Sequence, residues 1–75
     1  MKKVNWKKNI VVDKNICHGK PHIKDTRISV ELILNMLASG MNIDEIIKEY
    51  PQLKESEIRS CIAYSAELAS ERDIA

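Results

Sequence analysis

Seventy-five residues, 44% of them hydrophobic and 31% charged, describe a single folded domain whose core is too small for much spare stability. Trp6, Tyr50 and Tyr64 are the only aromatics, so the core must be built from Ile, Leu, Val, Met and Ala, and the two distant cysteines, Cys17 and Cys61, exclude a disulfide scaffold. The net charge of +1 hides a split: residues 1–28 hold eight Lys or Arg against two acids (+6), and residues 29–75 hold four against nine (−5).

Residues 1–9 contain Lys2, Lys3, Lys7, Lys8 and Trp6 without helical periodicity, which predicts a basic, flexible arm. No apolar run of secretory length follows Met1, and Asn35 breaks the longest apolar stretch, so a cytoplasmic chain without a membrane span is expected. The β-branched run Ile10-Val11-Val12 predicts a strand, and Asp13, Lys14 and Asn15 supply turn residues. Through residues 16–28, Gly19 and Pro21 exclude a regular helix, and Pro21 pushes Lys20 towards an extended conformation. Asp25 tolerates the left-handed region that a tight turn demands. A loop leading to a short strand or hairpin arm is expected there.

Three helices follow, over residues 29–72. Ser29 is a good N-cap for the first, and Val30, Ile33, Leu34 and Leu37 share one face. Leu32 and Met36 add a second apolar stripe, which points to a central helix or a subunit contact, and Gly40 stands where a left-handed C-terminal residue is usual. Asn42 with Glu45 has the spacing of a capping box for the second helix, which buries Ile43, Ile46, Ile47 and Tyr50 and stops at Pro51. The third helix starts near Glu55 and is predicted to pack through Ile58, Cys61, Ile62, Ser65, Leu68 and Ala69, with Ala63 and Ala66 permitting a close neighbour. Residues 73–75 are expected to fray. A short helix, a tight turn and a longer helix outline a helix-turn-helix.

The motif Gly19-Lys20-Pro21, Ile23 and Thr26-Arg27-Ile28 with Val30, then Ala38-Ser39-Gly40, Tyr50-Pro51-Gln52-Leu53 and Ile58, resembles the domain-of-unknown-function family 433 over roughly residues 10–69. The resemblance implies a mainly α, three-helix, homeodomain-like helix-turn-helix bundle with a short N-terminal β arm or hairpin. It further implies an antitoxin of a type II toxin–antitoxin pair, beside a toxin resembling PIN-domain ribonucleases. Two positions depart from the family pattern. Asp25 stands where relatives often have Gly, and Lys54 stands where a capping Thr is common, so the third helix is expected to start weakly or one turn later, at Ser56.

Chemistry-bearing residues are sparse. Cys17, His18 and His22 match no zinc spacing, and Cys61 would have to complete the set, so no metal and no cofactor is expected. Gly19-Lys20 lacks the rest of a phosphate-binding loop. Arg27 can bind a phosphate or pair with an acid such as Glu31, and the ion pair is the expectation. No nucleophile has an orienting base, so no enzyme is expected. Residues 54–73 hold three cations against five acids, a poor match for a recognition helix. Nucleic-acid contacts are therefore assigned to Lys2, Lys3, Lys7, Lys8, Lys20, Lys24 and Arg27, with Arg59 and Ser60 as base readers. Leu32, Met36, Arg27, Ala63 and Ala66 are assigned to a dimer or partner interface. The expected function is an antitoxin-like homodimer that neutralises a PIN-like toxin and binds operator DNA. A stand-alone DNA-binding regulator and a non-enzymatic dimeric adaptor are the alternatives.

Overall fold

A turn clamped by one hydroxyl sets the entrance to the helical part of the chain. In the computed structural model, which describes residues 4–71 (Glu71 by its backbone only), strand β1 (Ile10–Val11) pairs antiparallel with β2 (His22–Ile23), Ile10 opposite Ile23 and Val11 opposite His22. After β2 the chain reverses through a turn closed by Thr26 N–H to Ile23 O at 3.0 Å and Ile23 N–H to Ile28 O at 2.9 Å. The Thr26 hydroxyl donates to Ile23 O at 2.7 Å and accepts from Ile28 N–H at 3.0 Å, so one side chain ties both limbs of the turn. Asp25 has φ 64, the left-handed conformation anticipated for it. Val30 N–H then bonds Pro21 O, which delivers the chain into the first helix.

Helix α1 (Val30–Ala38) is capped by Ser29, whose side chain accepts from Leu32 N–H at 3.0 Å. Its other end is a Schellman closure: Met41 N–H reaches Met36 O and Gly40 N–H reaches Leu37 O, with Gly40 at φ 106. Helix α2 (Ile43–Glu49) opens with both halves of the capping box, Glu45 N–H to Asn42 Oδ1 and Asn42 N–H to Glu45 Oε1, each 2.9 Å. Helix α3 (Glu55–Glu71) begins directly after Lys54, not one turn later. Lys54 has no accepting side chain, but Glu57 Oε1 accepts its N–H at 2.8 Å, and Glu55 and Glu57 oppose the positive end of the helix dipole. Ser56 does not cap; its carbonyl instead accepts the Ser60 hydroxyl.

Ile23, Ile33, Ile46 and Ile58 are fully buried where the hairpin and the three helices meet, with Cys61 beside them. The result is a mainly α bundle with an N-terminal β hairpin, as the pattern predicted. The buried face of α3 differs from the predicted one. Ile58 and Cys61 are inside, but Ile62 and Leu68 stand 41% and 45% exposed, Ala69 is exposed, and Ser60 is buried with Tyr64 half-buried. The cause is the segment before β1. Trp6–Lys8 forms a 3-10 turn that lies along α3. Trp6 meets Tyr64 edge-on at 4.8 Å between ring centroids, its Nε1 donates to Glu67, and Asn9 Nδ2 donates to Ser60 Oγ at 2.9 Å. The arm predicted to be loose is thus docked over residues 4–9, and it selects the polar Ser60 flank of α3 as an inner face. Lys2, Lys3 and the expected fraying end lie outside the described residues. Among the described residues, no helix is long and apolar enough to cross a membrane.

Candidate functional site

The connection between β1 and β2 makes a second structure of its own, a polar cleft of about 350 Å³ lined by Lys14, Asn15, Cys17, His18 and Arg27. One wall is a single left-handed turn, Cys17–Gly19, with φ of 52, 55 and 77 in succession. A left-handed backbone costs an ordinary residue about 1–2 kcal/mol, so Cys17 and His18 are held there by neighbours. Gly19 N–H bonds Ile16 O, Lys20 N–H bonds Cys17 O, and Cys17 Sγ donates to Arg27 O at 3.2 Å. The last bond ties the turn to the opposite wall. The floor is tightened by the Asp13 carboxylate, which accepts Asn15 N–H at 2.8 Å.

The expected Arg27–Glu31 pair does not form. Glu31 Oε1 instead takes Lys20 Nζ at 2.8 Å across the exposed surface. The hydrogen bond and opposite charge hold the Lys20 ammonium above the usual lysine range and the Glu31 carboxyl below the usual glutamate range. Arg27 and Lys14 have no acidic partner within salt-bridge distance among the described residues. Arg59, assigned to base reading, is bonded to Glu55 one helical turn away at 2.8 Å. Ser60 is removed from that role altogether: it is 1% exposed, accepts from Asn9 and donates to Ser56 O. Lys7, Lys8 and Lys24 are exposed, Lys7 with its Nζ 6.0 Å from the Trp6 ring centre. Of the cations assigned to nucleic acid, Lys7, Lys8, Lys24 and Arg27 are exposed and make no salt bridge among the described residues, and Lys14, which sequence reasoning passed over as a turn residue, is a further exposed cation on the β1–β2 connection.

The helical side presents apolar surface. Of the two residues of the second apolar stripe, Leu32 is 38% exposed and Met36 is packed against the core. Ala63, half-buried, and Ala66, exposed, line a shallow depression with Val4 and Trp6, and exposed Ile62 continues it. A larger apolar groove of about 420 Å³ runs between Pro21, Val30 and Leu34 on one side and Tyr64 and Leu68 on the other, rimmed by the Lys20–Glu31 pair. Leu34 is half-buried against the core, as its place on the buried face of α1 predicts, whereas Leu68, also expected to pack, is exposed, because α3 turns its Ser60–Tyr64 flank towards the Trp6 segment.

The possible metal ligands do not converge. Cys61 is fully buried in the core, and burial, with Glu57 nearby, pushes its thiol up to about 12. His22 is buried beneath the hairpin with Nδ1 3.3 Å from Lys20 O, while Cys17 and His18 face the cleft. Among the described residues, no group of three or more His, Cys, Asp or Glu side chains is placed to hold a metal ion.

Residues 10–65 match the family described as "Protein of unknown function (DUF433)". No curated protein matches the chain. The crystal structure of a DUF433 member protein from Anabaena variabilis ATCC 29413 is similar, with a TM-score of 0.78 at 22% identity over 84% of this chain. That likeness is one of fold. The chain spans 62% of that protein's length, less than two thirds.

Proposed function

The chain belongs to the DUF433 family, and from that premise we propose that it is a non-enzymatic binding module of antitoxin type, working in the cytoplasm as a homodimer that covers a PIN-like nuclease toxin. The observation that carries this reading is the surface of α1 and α3, where Leu32, Ile62 and Leu68 are 38–45% exposed on the half of the chain that holds the acidic surplus. Exposed apolar anchors amid acids suit a protein partner with a basic, nucleic-acid-binding groove. The chemistry of a nuclease groove supplies that charge.

Co-expression with the product of the adjacent open reading frame tests the pairing: a co-purifying complex and relief of growth arrest are expected, and absence of both removes the antitoxin reading. Leu32→Asp tests the dimer, because Leu32 is exposed and Met36 is not a clean probe. A halved mass by light scattering with unchanged helix content is expected, and an unaltered dimer places the interface elsewhere.

A second reading is a helix-turn-helix regulator of homeodomain-like type, in which α2 and α3 meet DNA. The cations of the hairpin side favour it, and the Arg59–Glu55 pair and the acidic first turn of α3 count against base reading by α3. This reading requires operator affinity that falls steeply with salt and weakens in the Lys7→Ala, Lys8→Ala variant; affinity indifferent to salt removes it.

A further inference from the structure

The cleft between the β1–β2 connection and the Arg27 turn takes no part in the antitoxin reading, and we propose that it is a preformed binding site for a phosphate group. Its lining carries two full cations, the Lys14 ammonium and the Arg27 guanidinium, and the donors of Asn15 and His18, with no carboxylate among the lining residues. Lys20 pairs with Glu31 and Arg59 with Glu55, whereas neither Lys14 nor Arg27 has an acid within salt-bridge distance among the described residues. Asp13, next to Lys14, accepts from the Asn15 backbone N–H, and neither it nor Asp25, two residues before Arg27, forms a salt bridge among the described residues. Two neighbouring cations without a counter-ion leave a local excess of positive potential, and a tetrahedral dianion relieves it. Arg27 offers a planar fork of donors suited to two phosphate oxygens, and Lys14 a point charge beside it.

The walls are fixed before any ligand arrives. Cys17 Sγ ties the left-handed turn to Arg27 O, and the turn packs on Lys14, so that a Cβ added to Gly19 would meet Lys14 Cα at 3.8 Å. Cys17 and His18, both in the left-handed region, line the same opening as Lys14 and Asn15. A volume of about 350 Å³ accommodates a single phosphate with part of its bearer. The bearer is either a free phosphate compound or the sugar–phosphate backbone of nucleic acid; both present the same oxygens.

Two probes separate these sources on the full chain: inorganic phosphate, followed through the amide resonances of Lys14, His18 and Arg27, and a random-sequence DNA duplex, followed by fluorescence anisotropy at low salt. Lys14→Ala, Arg27→Ala and Arg27→Gln alter exposed side chains and leave the Arg27 carbonyl in place, so helix content serves as the folding control, and Lys48→Ala, at an exposed lysine of α2, serves as a charge-matched control outside the cleft. Saturable phosphate shifts confined to the cleft, weakened about tenfold or more by each cleft variant and not by Lys48→Ala, support the site. If duplex binding weakens in parallel, or is the only binding that weakens, the bearer is nucleic acid; if duplex binding is absent or indifferent to the cleft variants while phosphate binding is lost, the bearer is free. Shifts spread over all lysines, or cleft variants that behave as Lys48→Ala in both assays, overturn the proposal. Toxin pairing is measured separately, so neither result decides the other.

Discussion

Replacing Thr26 by Val keeps the shape of the side chain and deletes only its hydroxyl. That hydroxyl makes two bonds, to Ile23 O at 2.7 Å and from Ile28 N–H at 3.0 Å. Ile23 O keeps a partner after the change, because Thr26 N–H also reaches it, so its loss is that of one ordinary hydrogen bond, about 1 kcal/mol. Ile28 N–H belongs to a residue that is 7% exposed, and leaving it without an acceptor costs about 1–3 kcal/mol. Together these come to about 2–4 kcal/mol, against the roughly 3–5 kcal/mol that a core of this size supplies. Urea denaturation of Thr26→Val is expected to lose most of the stability, and thermal unfolding to fall by about 8–32 °C, since each 1 kcal/mol is worth about 4–8 °C in a domain of this length. Thr26→Ser, which keeps the hydroxyl, is expected to stay within about 1 kcal/mol of the parent chain. A Val variant within about 0.5 kcal/mol would refute the view that this hydroxyl closes the turn.

Asp25→Gly is expected to stabilise by up to about 1 kcal/mol, because the left-handed φ of 64 is free of cost only for glycine; a loss in urea denaturation would show that the Asp25 side chain does more than tolerate the turn. A double-mutant cycle on Asn9→Ala and Ser60→Ala should give a coupling of about 1 kcal/mol, and additivity would mean that the 2.9 Å bond contributes nothing. Cys17 should react with a thiol reagent at pH 8 while Cys61 reacts only on unfolding. Because the Cys61 thiol is raised in the folded chain, its contribution to stability is complete below the ordinary thiol pKa of about 8.5 and is lost as the pH climbs towards about 12. The Glu31 carboxyl, lowered by Lys20, contributes above its unfolded pKa and loses that contribution as the pH falls through its lower folded value; Lys20→Met should return its carbon-13 titration to the ordinary range, and an unmoved titration would discount the exposed pair.

Sequence pattern located what local physics decides. Asn42 with Glu45, Ser29, Gly40 and Pro51 mark helix ends because capping needs partners only three or four residues away, and all four sit at the predicted ends. Helix α3 starts at Glu55 as expected, and the shift towards Ser56 that the missing hydroxyl at Lys54 suggested does not occur, because Glu57 provides the reciprocal half of the same box from within the helix. The buried face of α3 was beyond periodicity: Ser60 and Tyr64 are inside because Asn9 and Trp6 arrive from 50 or more residues away, and nothing in the helix itself encodes that. The one available sign was that Ser60, Tyr64 and Glu67 form an i, i+4, i+7 stripe able to receive the chain's single Trp. The ion pair was assigned to the wrong cation: Arg27 is the nearer to Glu31 in sequence, yet Lys20 takes it, and spacing along the chain does not decide between them.

Trp6 gives the fold an optical readout that helix content cannot. It is the sole tryptophan, wedged between Tyr64 and the Glu67 carboxylate at a seam joining positions 61 residues apart. Its emission therefore reports whether residues 4–9 are seated on α3, independently of the far-ultraviolet signal of the three helices. A partner that displaces this segment will redden the emission at constant helicity, uncovering Ser60 and Tyr64, whereas one that docks on Leu32 will leave the colour unchanged.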